Sequence, residues 1–338
     1  MINYVYQLVR PGVISVKYED VEVESDVIVR PLYMAICHAD QRYYRGMRSV
    51  DKLKSKLPMA LIHECVGEVV FDPRNIFSKG QKVAMVPNVK SKVEDKNIYE
   101  NYQKGSAFLS SGRDGFMREF VNLNADRLVD IGNAPKEFAA ISEFISVGVH
   151  AVNRLIKNAN KNMESFGIWG DGSLSYVVSC IIKQMFPNSK LCVIGRDESK
   201  LSQFMFADET YFSGSIPEDF CVDHAFECAG GEGSFYAIDD IIKYINPQGT
   251  VMLMGVSENK VAINTRDVLE KGLKLIGASR SGREDFEKAV ELLNNIRFQR
   301  RISRIIYEDE PVNSIEGIHR VFETDLKTPF KTVFKWNL

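Results

Sequence analysis

The chain has 338 residues, of which 45% are hydrophobic and 26% charged. That is enough length for two domains with cores of their own, and the composition of a folded chain. Lys and Arg total 43 against 45 Asp and Glu, a formal net charge of −2, which argues against a protein that coats nucleic acid. No apolar run is long enough for a membrane span. The opening MINYVYQLVRPG lacks the apolar stretch and small-residue cleavage site of an export signal. Most of the six cysteines sit inside apolar runs. They read as reduced, buried thiols of a cytoplasmic protein.

Residues 1–147 are rich in short β-like runs: VEVESDVIVRPL, HECVGEVVF, QKVAMVP, MREFVNL and DRLVDI. Turn signals such as Asp72-Pro73 and Lys79-Gly80 separate them, so a β-rich, barrel-like domain is expected. Residues 88–115 are polar and irregular and read as a long surface loop with room for a short helix. Apolar positions at helical spacing over 137–157 predict a helix that links two domains. From residue 165 strands and helices alternate. FGIWG, KLCVIG, DHAFECAG, TVMLMGVS and LKLIGAS are separated by helical runs, the pattern of a doubly wound parallel sheet. After the helical run EDFEKAVELLNNI the chain becomes α+β again and returns to the first domain. The expected division is 1–147 with 286–338 around a nucleotide-binding domain at 148–285.

The stretch 165–196 carries chemistry. An apolar strand runs into Gly170-Asp171-Gly172, a helix follows, and a second strand ends at Gly195-Arg196. Gly170 permits the tight turn and Gly172 lets the backbone approach a pyrophosphate. The helix start at Ser173 and Leu174 offers free N–H groups to that anion. Ser175 stands where the third glycine of the pattern would be. An NAD site carries Asp or Glu at the end of the second strand to accept from the ribose 2′-OH. Here Gly195 leaves no carboxylate, and Arg196, with Lys200 nearby, supplies positive charge for a 2′-phosphate. NADP(H) is the expected cofactor.

Upstream lie Cys37, His63-Glu64 and Glu143. A thiolate, an imidazole and a carboxylate make three legs of a zinc site whose fourth position stays open for catalysis.

These residues carry a resemblance. ICxxD at Cys37–Asp40, HExxGxV from His63, KGQKVAMVP, Glu143 with SVGVHAV, FECAGG and NPQGTVMLMG resemble the zinc-dependent medium-chain dehydrogenases/reductases nearly end to end. The third ligand, Glu in place of Cys, is similar to the sorbitol dehydrogenase branch. MAICHADQRYYRG, KLPMALIHECVGEVVFD and SSGRDGFMREFV resemble the ribulose-5-phosphate reductases of teichoic-acid synthesis.

The resemblance implies a Rossmann domain beside a split, GroES-like barrel domain. It implies NADPH-dependent reduction of D-ribulose 5-phosphate to D-ribitol 5-phosphate upstream of CDP-ribitol. In that reaction zinc polarises the C2 carbonyl and the nicotinamide supplies hydride. It places Cys37, His63 and Glu143 on the zinc, with Glu64 a further ligand or a neighbouring carboxylate and Asp40 an orienter.

Where many relatives relay a proton through Ser or Thr, this chain has Ala39, so Glu64, Tyr43 or a water chain are the alternatives. The 88–115 loop lacks the four cysteines of a structural zinc, so one zinc per chain is expected. A phosphosugar needs a cationic clamp; Arg42, Arg45, Arg48 and Arg113 are the candidates, and Arg280 matches a family position beside the active site. A homodimer joined through sheet edges is expected, with TVMLMGVS readable as an edge or a core strand. So is functional pairing with a ribitol-5-phosphate cytidylyltransferase. The alternatives are a dehydrogenase of free polyols such as sorbitol or xylitol, and a nucleotide-binding module without zinc chemistry.

Overall fold

In the computed structural model, which describes residues 2–338, the chain forms two compact units. One is Met1–Ser146 with Ser281–Leu338, the other Val147–Arg280. Residues 281–285, expected in the nucleotide-binding part, pack with the first unit. Ser281 Oγ lies 2.6 Å from Ser146 Oγ, its carbonyl accepts from the Asn88 amide, and Asp285 accepts from Tyr99 Oη at 2.9 Å.

In the unit Val147–Arg280 six parallel strands form one sheet. In space they run Glu209–Phe212, Lys190–Gly195, Ser165–Trp169, Val222–Glu227, Ile245–Leu253, Lys274–Gly277. Counted along the chain this is 3-2-1-4-5-6, the order of a dinucleotide-binding sheet, with the crossover beside its first strand. Val222–Glu227 is buried at every position, as a central strand covered on both faces must be. The helix Ser173–Met185 is buried at every position from Ser175 to Ile182, so it is covered on more than one face. The run TVMLMGVS lies mostly in the interior strand Ile245–Leu253, so the sheet edges are Glu209–Phe212 and Lys274–Gly277. At four residues, Glu209–Phe212 is too short to stand out as a strand in the sequence. ESKLSQFMF is helical only over Glu198–Leu201, because Phe204 and its neighbours turn in to pack on Tyr176.

The other unit is β-rich. Ile2–Arg10 pairs with Val13–Asp20 in a hairpin and with Met59–Ala60. The larger sheet runs Leu128–Asp130, Lys82–Met85, Glu64–Phe71, Val27–Ala35, Lys331–Trp336, Ile306–Val312, with Val121–Leu123 also on Val27–Ala35. Its pairings are antiparallel except for the last two strands. Residues 88–115 are better anchored than a surface loop. Asn88–Val89 pairs with Ala107–Phe108, a turn of 3-10 helix spans Glu100–Tyr102, and Asn88, Asn101 and Ser110 are buried. The C-terminal strand lies inside this sheet between Val27–Ala35 and Ile306–Val312, and its register sets the site. Ala35 pairs with Glu64 on one side and Val333 on the other. Three strand ends therefore bring residues 37, 64 and 331 to one place. Among the described residues no helix is long and apolar enough to cross a membrane.

Candidate active site

Cys37 follows the strand Val27–Ala35 and caps the helix His38–Tyr44. Asp40, in that helix's first turn, accepts from the Cys37 backbone N–H at 3.2 Å. Asp40 is fully buried and accepts also from Ser110 Oγ at 2.7 Å and Ile62 N at 3.0 Å. Ile62 has φ +68°, an uncommon conformation for a β-branched residue, and its bond to Asp40 helps hold it. This strained turn delivers His63 beside Asp40, with Nδ1 at 3.5 Å from Oδ2, and against the edge of Phe108.

Ligand atoms of Cys37, Asp40 and His63 all lie within 4.8 Å of one another, and so do those of His63, Glu64 and Glu143. The two groups share His63. Glu143 stands in the first turn of the helix Ser142–Asn158 and is buried. Glu64 is completely buried; its Oε1 accepts from Lys331 Nζ at 2.6 Å, while Oε2 has no hydrogen-bond partner among the described residues. Lys331 also donates to the Ile36 carbonyl at 2.7 Å and sits 4.6 Å over the Phe144 ring.

The electrostatics describe a place built for a cation. Burial pushes the Glu64 carboxyl up to about 7, Glu143 adds to this, and Lys331 and His63 oppose it. Burial on its own would lower the His63 imidazole, but Asp40 and Cys37 outweigh it and hold the ring well above its ordinary value. Burial likewise opposes the Asp40 charge, yet His63 and the bonds from Ser110 and Ile62 keep this carboxyl below its ordinary range. Among the described residues Glu64 Oε2 is buried without a hydrogen-bond partner, and His63 Nδ1 has only the Asp40 carboxylate beside it, at 3.5 Å. Thiol, imidazole and carboxylates are the donor set zinc takes, so the residues present fit that ion.

The other expected residues are placed as follows. Tyr43 is packed in the apolar core with Arg48 5.1 Å over its ring. Arg42 and Arg45 lie on the helix His38–Tyr44 and at its C-cap. Arg113 lines a separate cleft of about 500 Å³ with Lys90, Arg118 and Arg127, which neither Arg42 nor Arg45 reaches. The structure therefore divides the four arginines between two places. Arg280, half-buried with φ +58°, ends the nucleotide-type unit.

In that unit Gly170 has φ +131°, and a Cβ on it would stand 3.0 Å from the Cys228 backbone. Gly172 caps the helix Ser173–Met185, and a Cβ there would meet nothing within 4 Å. The turn thus keeps an open cradle in front of Ser173 and Leu174, the fit a pyrophosphate requires. Gly195 closes the second strand, Arg196 is exposed, and Lys200 donates its backbone N–H to Asp197 in the next short helix. Sequence reasoning missed Lys331 and gave no role to Asp171. A lysine opening the otherwise buried run KTVF was the signal for the first.

A glycine-turn nucleotide unit joined to a buried thiol–imidazole–carboxylate group defines a zinc-type dehydrogenase. Comparison agrees: residues 23–133 match the alcohol dehydrogenase GroES-like domain and residues 209–295 the zinc-binding dehydrogenase domain. Ribulose-5-phosphate reductase from Streptococcus pneumoniae is 53% identical over 100% of this chain and 98% of its own length. Ribulose-5-phosphate reductase 1 from Staphylococcus aureus is 48% identical over 99% of each. The crystal structure of S. aureus TarJ in complex with NADPH superposes with a TM-score of 0.88 at 44% identity, covering 100% of both chains. The chain belongs to the ribulose-5-phosphate reductase family of zinc-binding dehydrogenases.

Proposed function

We propose that this enzyme reduces D-ribulose 5-phosphate to D-ribitol 5-phosphate with NADPH, using one zinc ion held by Cys37, His63 and Glu143. The observation that carries the reading is the shared buried site: two overlapping donor groups meet at His63, and Lys331 compensates the extra carboxylate of Glu64. When bound, zinc supplies a Lewis acid for the C2 carbonyl and NADPH supplies the hydride.

The chain's own residues do the rest. Asp40 orients His63, and its bonds to Cys37 N, Ile62 N and Ser110 Oγ fix the ring's surroundings. Glu64, with its carboxyl near 7, is the group suited to move a proton at Oε2, the oxygen Lys331 leaves free. Tyr43 is a weaker candidate, because it faces the core. The Gly170–Gly172 turn cradles the pyrophosphate, and Arg196 with Lys200 faces the 2′-phosphate. Arg42 and Arg45 are the nearer phosphate clamp, since they share the helix capped by Cys37. We assign Arg280 to substrate positioning and keep Arg113 as a second, separate candidate.

Among the described residues no disulfide joins the cysteines, which supports a reducing, cytoplasmic setting. A homodimer formed along the Lys274–Gly277 edge, and a ribitol-5-phosphate cytidylyltransferase acting next, complete the proposal. The test is NADPH oxidation by zinc-loaded protein with D-ribulose 5-phosphate, sorbitol-type ketoses serving as the comparison. Turnover restricted to the phosphorylated ketose is expected; turnover of the free ketose alone would refute the substrate assignment.

A further inference from the structure

We propose that Asp171, inside the glycine turn, sets the nucleotide preference of this site by holding Arg196 in place and closing position 195 to any acidic side chain. The proposal rests on the NADPH reading above.

Asp171 Oδ2 accepts from two consecutive backbone amides, Arg196 N at 2.6 Å and Asp197 N at 2.8 Å. The carboxylate therefore spends its charge on the peptide that follows the second strand, and fixes the direction in which that strand ends. It also fills the space beside Gly195. A Cβ on Gly195 would stand 2.7 Å from both Asp171 Cβ and Asp171 Oδ2, and 2.9 Å from Leu201 Cδ2. A carboxylate that reads a ribose 2′-hydroxyl belongs at this strand end. Asp171 leaves no room for one.

What remains is positive. The Arg196 guanidinium is exposed, and among the described residues no carboxylate pairs with it. Its Nη2 comes within 3.8 Å of the Cβ position of Gly233, the first residue of the 12-residue helix Gly233–Tyr244. A cation against the positive end of a helix is unfavourable by itself, and an anion placed between them relieves it. The opposite wall is rigid, because buried Glu227 accepts from Ala229 N, Gly230 N, Ser234 Oγ and Gly255 N at 2.8–3.0 Å. Asp171 is thus a positioning residue: it touches the backbone that carries the phosphate-binding arginine.

The experiment titrates NADPH and NADH, by cofactor fluorescence, into wild type, D171A, D171N and R196A, with a thermal midpoint recorded for each. Wild type should prefer NADPH; no preference there would sink the NADPH reading itself. D171A should lose about tenfold in NADPH affinity, the worth of one charge-assisted bond, and change NADH affinity little. D171N keeps an acceptor oxygen and should recover most of the loss. G195A, whose Cβ displaces the carboxylate without deleting it, should reproduce the selective loss and carries the test if D171A does not fold. Unaltered NADPH affinity in the folded variants overturns the proposal. An equal loss for both nucleotides does so too, since it would make Asp171 a support of the turn alone.

Discussion

Lys331→Met removes the cation bonded to the fully buried Glu64 carboxylate while keeping a side chain of similar length. Nζ gives up two bonds, to Glu64 Oε1 at 2.6 Å and to the Ile36 carbonyl at 2.7 Å, and its place over the Phe144 ring. The volume change is small, so packing contributes little. At alkaline pH, where Glu64 keeps its charge, the dominant cost is a buried charge left without its partner, about 3–5 kcal/mol, which lowers the melting temperature by roughly 10 °C; near neutral pH Glu64 takes up a proton and the cost is smaller. Urea unfolding of chelated protein measures it without a contribution from metal binding. Glu64→Gln in the same background removes the charge that was stranded, so the double variant should regain about 2 kcal/mol relative to K331M. A K331M midpoint equal to wild type, or a double variant no better than K331M, would refute the view that the pair is an ionic unit of the site.

Two further expectations concern the same region. In chelated protein burial holds the folded Glu64 carboxyl up at about 7, above the ordinary 4.5 of a glutamate. The folded state therefore binds more protons than the unfolded one between these values, and stability should fall as pH rises from 4.5 to 7. Urea midpoints across that range check this, and E64Q should flatten the profile; an unchanged slope in E64Q would assign the dependence elsewhere. Cys221 is exposed, whereas burial pushes Cys65 and Cys228 well up and Cys192 to about 12. A thiol reagent should modify Cys221 first in zinc-loaded protein, and chelation should open half-buried Cys37 as a second fast site. If chelation exposes no new thiol, Cys37 is not a zinc ligand.

Much of the fold was legible because its signals are local. The strand–glycine–helix–strand run from 165 to 196 announces itself by periodicity and by the glycines that its turn requires. Cys37, His63 and Glu143 are separated in sequence, yet each lies in a short apolar run with a distinctive neighbour. What was not legible depends on register. Nothing near residue 331 says that Val333 will lie opposite Ala35, which also pairs with Glu64, and this double pairing alone makes Lys331 part of the site. Asp171 was given no role, because the amides it binds lie just past the end of the next strand. The loop 88–115 looked free because it is polar. Its buried contacts come from Asn88 and Tyr99, whose partners at 281 and 285 are far away in the chain.

The mutual exclusion of side chains at positions 171 and 195 bears on how a lineage carrying this turn can change. In many nucleotide-binding folds one codon change at the second strand's end is a short route to a different cofactor. Here that step meets an occupied space, and the clash of Asp171 with any Cβ at 195 makes it costly. Vacating position 171 first releases the two amides and loosens Arg196 before anything replaces it. Either order of events passes through an enzyme worse at its present task, so selection for that task is enough to hold the cofactor preference in place.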